Sequence, residues 1–288
     1  MRIFVVIASL GRPATLIKTV DRLADQTRPA DEIILSVTRP DDVAGIEEAR
    51  VATRVIEGPK GLCNQRNAAL DAIGDRADVV VFFDDDFVPA NDYLEQVEQI
   101  MTADPGIVGL TGELVDDGIH GEPILFEDAV RRLDVDKERP TTAMRPRKAL
   151  YGCNMVIDLK TAAGLRFDEN LPLYAWQEDI DFTYQLGRRG RLASGKELTG
   201  IHLGVRGARQ PGKRLGYSQV ANIVYLSRKG TMQPGLGRQL LLQNLASNVV
   251  RSVWPEKGID RRGRLIGNLM AIGDWAAGRI DPRKILTM

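Results

Sequence analysis

The chain has 288 residues, 39 Lys/Arg and 39 Asp/Glu, so its formal net charge is zero. With 43% hydrophobic residues and no repeat or low-complexity tract, it can bury a sizeable core and gives no ground for a nucleic-acid partner. The charge is unevenly spread: residues 203–288 hold 15 Lys/Arg against 4 Asp/Glu, a net of +11, which leaves −11 for the first 202 residues.

Met1 to Ala8 has one charge and a short apolar run, and reads as a first strand rather than a signal peptide. No stretch reaches the roughly 18–20 apolar residues of a spanning helix. Cys63 and Cys153 are far apart and lack metal-ligand spacing; two thiols in a reducing cytoplasm are the default, with one disulfide as the alternative. The expected location is cytoplasmic, with peripheral contact on the inner face of the cell membrane as an extension of that reading.

In chain order, Ile3 to Ala8 is a strand, Ser9 to Pro13 a loop, and Ala14 to Ala24 a helix through Leu16, Ile17, Val20 and Leu23. Glu32 to Val37 is a second strand and Val51 to Ile56 a short third. After the turn at Gly58 to Leu62, Asn64 to Ile73 is a helix. Val79-Val80-Val81-Phe82-Phe83 follows, an unalternating apolar run that reads as a strand buried on both faces, and it meets Asp84-Asp85-Asp86 directly. Asn91 to Met101 reads as a helix and Ile107 to Leu114 as a strand. Asp116 to Arg147 reads as a polar, irregular stretch, and Ala149 to Ile157 as a strand. A short helix begins at Thr161 to Gly164 and another spans Phe182 to Arg189. Leu198 to Leu203 is strand-like, and helices fill the chain from Tyr217 on, broken around Gln233 to Leu236.

Strands alternating with helices predict an α/β protein with a mostly parallel sheet. Ligands of such sheets bind beyond the carboxyl ends of the strands, so Ser9 to Arg12, Thr38 to Asp42 and Asp84 to Asp86 are expected to converge on one crevice, suited to a nucleotide. Alternate residues of an extended segment share a side. Asp84 and Asp86 can therefore face one divalent ion bridging two phosphates, while Asp85 points away; the bland alternative is a solvated turn. Glu178-Asp179-Ile180-Asp181 lies at a helix start, where the dipole alone favours carboxylates. The functional alternative is a general base for an acceptor hydroxyl. Lys60 to Asn67 places a cation and backbone donors at a helix N-terminus, an anion site or an ordinary cap. His202, after a strand, is a metal ligand, a diphosphate contact or a structural residue; His120 is assigned nothing.

Together and in this order, these pieces resemble glycosyltransferase family 2, inverting enzymes of the GT-A fold, over roughly residues 3–205. The carriers are Val5 to Arg12, Asp31 to Leu35, Gly61 to Asn67, Phe82-Phe83-Asp84-Asp85-Asp86 and Trp176-Gln177-Glu178-Asp179-Ile180-Asp181-Phe182. The resemblance implies a GT-A domain over 1–215, with a donor half at about 1–115 and an acceptor half at about 116–215, and a helical C-terminal extension over 216–288. It implies that Ala8, Ser9 and Arg12 line the nucleotide site with Arg66 near base or diphosphate. Asp84 and Asp86 would bind Mn2+ or Mg2+, Asp86 more directly and Asp85 in a secondary role, with His202 reaching the metal or diphosphate. Asp179 would be the base, Glu178 would position the acceptor, and Cys153 and Asn154 would lie beside the sugar. The family's Asp after the second strand is missing here, and Ser36, Thr38 and Asp41 are the residues able to replace it.

The implied donor is a nucleotide sugar, UDP- or GDP-linked, and the implied acceptor a saccharide or lipid-linked saccharide in bacterial-type polysaccharide or glycolipid assembly. Asp116 to Arg147 and Gly204 to Lys213 are candidate lids over the donor. A sugar-nucleotide nucleotidyltransferase should open with a Gly-rich loop, and Ser9 to Pro13 has one Gly. A non-catalytic binding domain should have lost its acidic pairs, and a glycoside hydrolase does not explain the strand context of Asp84 and Asp86. The basic tail, with Trp254, Leu265, Ile266, Leu269, Met270 and Trp275 among arginines, is either a membrane contact or a packed helix or homodimer contact.

Overall fold

Five consecutive β-branched or aromatic residues at Val79 to Phe83 offer no polar face to water, so they are accommodated only by a strand covered on both faces. A computed structural model describes residues 1–135, 144–205, 211–254, 256 and 258–288. Its elements run β1 (Ile3–Ala8), α1 (Pro13–Leu23), β2 (Glu32–Val37), β3 (Arg54–Glu57), α2 (Leu62–Ile73), β4 (Val79–Asp84), β5 (Phe87–Pro89), α3 (Tyr93–Ala103), β6 (Ile107–Asp117), α4 (Phe126–Val135), β7 (Arg145–Pro146), β8 (Asn154–Asp158), α5 (Glu178–Leu186), β9 (Arg191–His202), α6 (Gly212–Lys229), α7 (Pro234–Val253) and α8 (Arg261–Ala276). They form two compact units. The first comprises Met1–Lys60, Asn64–Arg166 and Gln185–Ala208; the second comprises Gly61–Cys63, Phe167–Tyr184 and Arg209–Met288.

The first unit is a sheet in the order β3-β2-β1-β4-β8-β6-β9-β5, with β7 added to β9. β3, β2, β1 and β4 are parallel, and Ala8 pairs with both Ser36 and Asp84, so three strand ends finish level. Beyond β4 the direction changes: β8 is antiparallel to β4 and to β6, while β9 is parallel to β6 and antiparallel to β5. Val79, Val81 and Phe83 pack in one core with Val5, Leu16, Val20 and Leu94. Phe83 stacks on Phe87 at 4.9 Å, and Tyr93 meets both rings edge-on.

The stretch read as irregular, Asp116 to Arg147, is more ordered than its polarity implies. It holds the end of β6, the helix α4 and the short β7, while residues 136–143 of this candidate lid lie outside the described residues. Phe126, Ala129, Val130 and Leu133 recur at helical spacing, and they pack with Val88, Ala90, Ile201 and Leu203. Four charged residues between them, with Asp134 just after, hide the stripe from a hydropathy reading. The other candidate lid, Gly204 to Lys213, includes 206–210, also outside the described residues. β8 begins only at Asn154, because the preceding residues turn with Asn154 N–H donating to the Tyr151 carbonyl. Thr161 to Gly164 is a turn, not a helix, and β9 starts seven residues before Leu198. Neither cysteine forms a disulfide among the described residues.

The second unit is helical. Its segment 167–184, which the sequence groups with the first 215 residues, clusters with the C-terminal helices. α6 is its centre, and α8 crosses α6 at glycine: a Cβ on Gly216 would lie 2.0 Å from the Arg264 carbonyl, and one on Gly267 2.0 Å from that of Lys213. Buried amides tie the three helices together. Asn268 donates to the Gly216 carbonyl, Asn248 to both Asn268 and Gln219, and Gln219 to Asn244, all between 2.7 and 3.2 Å. Lys229 bridges Asp168 and Asp181, and Thr231 donates to Asp181 at 2.6 Å. Among the described residues no helix is long and apolar enough to cross a membrane. Replacing Gly267 by Val must push α8 off α6. We expect a loss of about 1–3 kcal/mol in a denaturant melt, with Gly273→Ala, where nothing lies within 4 Å of a Cβ, as the neutral comparison.

Candidate active site

The level ends of β1, β2 and β4 bring three loops together. Ser9 N–H donates to the Ser36 carbonyl at 3.1 Å. Gly11, at φ +68°, donates its N–H to Asp42 Oδ1 at 2.8 Å, and the same carboxylate accepts from Thr38 N–H and Oγ1. Burial alone would raise the Asp42 pKa, but these donors and Arg39 hold it below the usual carboxylate range. Asp42, which sequence reasoning did not select, is thus the clamp between the first two loops.

Asp84, Asp85 and Asp86 follow β4 with different surroundings. Asp84 is partly exposed, Asp85 fully buried and Asp86 buried. Asp85 turns inward, accepting Ser9 Oγ–H at 2.6 Å, Arg12 Nε–H at 3.1 Å and Arg12 Nη2–H. Burial pushes its pKa up to about 7, with Asp86 and Asp84 adding to the rise, and Arg12 and Ser9 opposing it. Thr19 Oγ1 donates to the Asp85 carbonyl, pinning the turn to α1. Asp86 accepts the Val205 N–H at 2.8 Å and lies 3.4 Å from Arg12 Nη1. Burial works to raise the Asp86 pKa as well, but His202, Arg12 and the Val205 amide bring it below the ordinary value.

His202, the last residue of β9, is brought to the same place by the β5–β9 pairing, opposite Phe87. Its Nε2 lies 3.3 Å from Asp86 Oδ1 and 3.8 Å from Asp84 Oδ2; its Nδ1 lies 3.1 Å from Asp117 Oδ1. Burial disfavours the imidazolium, but Asp117, Asp86 and Asp84 outweigh it and raise the His202 pKa to about 10. One donor atom each from Asp84, Asp86 and His202 fall within 4.8 Å of one another. Two carboxylates and one imidazole can hold a divalent cation such as Mn2+ or Mg2+, with the imidazole neutral when it ligates. Asp117 and Tyr151, whose Oη–H donates to Asp117 Oδ2 at 2.9 Å, form the supporting layer that orients the ring. Asp117 was missed because its nearness to His202 is a pairing of β6 with β9, 85 residues apart in sequence.

Other residues selected from the sequence are placed as follows. Ala8 is half-buried at the end of β1 beside Asp84. Arg66 is 2% exposed, donates to the Gly152 carbonyl at 2.8 Å, reaches Asp84 Oδ1 at 3.5 Å and lies over the Phe82 ring. Ser36 is fully buried with its hydroxyl donating to the Gln65 carbonyl; Asp41 is exposed and the Thr38 hydroxyl is bonded to Asp42. The Cys153 carbonyl accepts the Asp84 N–H, and Asn154, wholly buried, accepts from Thr111 Oγ1. In the second unit Glu178 is buried and Asp179 half-buried at the start of α5, where Asp179 Oδ1 accepts the Ile180 N–H at 2.8 Å.

The family model described as Glycosyl transferase family 2 matches residues 4–166. The chain belongs to that family, and the sheet with its acidic edge is the core of a glycosyltransferase of the GT-A fold. Among solved structures, the mannosyltransferase PcManGT from Pyrobaculum calidifontis, in complex with GDP-Man and Mn2+, is similar at TM-score 0.58 and 17% identity, over 99% of this chain and 78% of that one. S. aureus TarS 1-349 in complex with UDP-GlcNAc gives 0.59 and 14%, over 99% and 83%, although this chain spans only 44% of a longer TarS. Glucosyl-3-phosphoglycerate synthase from Mycobacterium tuberculosis, with Mg2+ and UDP, gives 0.50 and 21%, over 81% of each chain. No curated protein matches the sequence. Family membership decides against the nucleotidyltransferase and hydrolase alternatives. We expect Asp117→Asn to weaken Mn2+ binding, measured by calorimetry with nucleoside diphosphate present, by about 10–100-fold, since the ring that presents Nε2 loses its orienting partner.

Proposed function

We propose that the protein transfers a hexosyl group from a UDP- or GDP-sugar to a hydroxyl of a saccharide or lipid-linked saccharide, with inversion, in bacterial-type polysaccharide or glycolipid assembly. The observation that carries this reading is the Asp84, Asp86 and His202 cluster at the carboxyl edge of a family 2 sheet. A divalent cation held there would offset the negative charge gathering on the departing diphosphate. Asp85 is held by Ser9 and Arg12, so in this reading those two residues, at the mouth of the loop after Ala8, serve the nucleotide by fixing the acidic turn. Arg66 supports Asp84 from below and, with Cys153 and Asn154, shapes the floor beside the sugar. Ser36 contributes through the backbone of the nucleotide loop.

Asp179 is the proposed base. Ile180 N–H donates to one of its oxygens, and a carboxylate at a helix start is the group that would take the acceptor proton as the hydroxyl attacks. Glu178 positions that acceptor. Incubation with a panel of UDP- and GDP-sugars and Mn2+ or Mg2+, with and without saccharides, should release nucleoside diphosphate; no release with any donor would overturn the reading. Asp179→Asn should lower transfer by about 10²–10⁴-fold while nucleoside diphosphate affinity is retained, and normal turnover in that variant would remove the base assignment.

The C-terminal helices support the membrane extension of this proposal. α7 presents Leu242, Val249, Val250 and Val253 at i, i+7, i+8 and i+11, all exposed and followed by Trp254 at 73% exposure; α8 presents Ile266 and Leu269. These apolar faces belong to the stretch of net charge +11. That combination fits an anionic lipid surface, where a lipid-linked acceptor would be met. Vesicles rich in phosphatidylglycerol should co-sediment the protein at low salt and lose it on Val250→Glu or Leu269→Glu; binding unchanged by both would point to a second copy of the chain instead.

A further inference from the structure

β6 and β9 end side by side, with Asp117 opposite His202, and the chain just beyond each end is glycine where the two meet. A Cβ on Gly118 would lie 2.1 Å from the Leu203 carbonyl oxygen, and one on Gly204 2.3 Å from the Gly118 carbonyl carbon. Gly204 also has φ of +70°. Main chain therefore runs against main chain here, closer than a side chain at either position allows. Beyond His202 the chain turns back onto the acidic turn. Leu203 N–H donates to the Asp86 carbonyl at 2.9 Å, and Val205 N–H to Asp86 Oδ2 at 2.8 Å. The Val205 carbonyl accepts Arg12 Nη1–H at 3.1 Å. These bonds divide the two oxygens of Asp86. Oδ2 accepts from Val205 and lies 3.4 Å from Arg12 Nη1, so its two lone pairs face donors and a guanidinium stands beside it. Oδ1 faces His202 Nε2 at 3.3 Å. A cation is repelled on the Arg12 side and admitted on the His202 side.

We infer that Gly118 and Gly204 are positioning residues for the cation site, and that through the Val205 N–H they make Asp86 a one-oxygen ligand, by Oδ1. This rests on the reading of Asp84, Asp86 and His202 as a cation site, and on no choice of sugar or acceptor. Val205 N–H reaches Asp86 because the chain reverses directly after His202, and a left-handed residue packed on Gly118 makes that reversal. The same crossing holds the two strand ends together, with Asp117 Oδ1 at 3.1 Å from His202 Nδ1. One contact thus serves two ligands of the cluster: it aims the imidazole and it selects the carboxylate oxygen. The crossing has little room to yield, since the Leu203 carbonyl also accepts Ile124 N–H at 2.9 Å. A side chain at either glycine has to part the strand ends, and the bonds to Asp86 and His202 loosen with them.

Cation binding and amide exchange test this apart from turnover. Mn2+ affinity is measured by calorimetry on the full chain with nucleoside diphosphate present, below the melting transition of each variant. Gly118→Ala and Gly204→Ala should each weaken Mn2+ binding about 10–100-fold. Gly121→Ala, at the end of the same turn with nothing within 4 Å of a Cβ, should leave it unchanged. Val205→Pro, which removes the amide donor and keeps both glycines, should weaken it about tenfold. In the unaltered chain the Val205 amide, followed by NMR hydrogen exchange, should stay protected with Mg2+ and nucleoside diphosphate bound, because Oδ2 keeps its donor while Oδ1 ligates. A lower melting temperature in the glycine variants with unchanged Mn2+ affinity would reduce the crossing to packing and overturn the inference. Unprotected exchange of the Val205 amide in the Mg2+-loaded chain would overturn it as well, and decides alone where a variant fails to fold. Absence of cation binding in the unaltered chain removes the reading of the cluster itself, and the inference with it.

Discussion

The arrangement of the first unit depends on keeping three consecutive carboxylates together at the end of a buried strand. Side by side in a poorly hydrated edge, they would repel one another and expel the turn into solvent. Two basic residues counter this. Arg12, from the loop after β1, takes Asp85, and His202, from the end of β9, takes Asp86 and faces Asp84. The strand order follows the same need. β4 lies beside β1, which delivers Arg12, while β5, immediately after the acidic turn, pairs with β9, which delivers His202.

Much of this was legible beforehand, and the reason is local. β1, β2 and β4 are apolar runs bounded by turn residues, and their ends fall where the pattern changes. The alternation of Asp84 and Asp86, with Asp85 on the other side, follows from an extended backbone and needs no knowledge of the fold. What stayed hidden is non-local or masked by charge. Asp117 meets His202 through a pairing of distant strands, and Asp42 acts by accepting backbone amides from another loop, which no side-chain motif announces. α4 carries its apolar stripe inside a run of five charges, so polarity was read as irregularity.

Several residues selected for ligand contact also bond within the edge. Arg66 is buried and reaches Asp84, Ser36 bonds Gln65, and Ser9 and Arg12 bond Asp85. Sequence motifs mark positions that a site needs, without separating groups that touch a ligand from those that fix the groups that do. Burial differs within the triple Asp: Asp84 is its accessible member, while Asp85 is wholly enclosed.

In the second unit, the chain of buried amides through Gln219, Asn248 and Asn268 has an effect beyond its own bonds. Apolar side chains on α6, α7 and α8 would pack almost as well if one helix slid by a turn, since leucine is tolerant of its neighbours. Amides are not tolerant. A slide of one turn would strand Asn268 from the Gly216 carbonyl and Asn248 from both its acceptors, each at a cost of about 1–3 kcal/mol. The glycine crossing admits α8 at one point along α6, and the amides recognise that point. The unit therefore has a built-in index mark: its helices have one register, and Asn222, one turn beyond Gln219 on the same helix, carries that register to Trp176 and the start of α5.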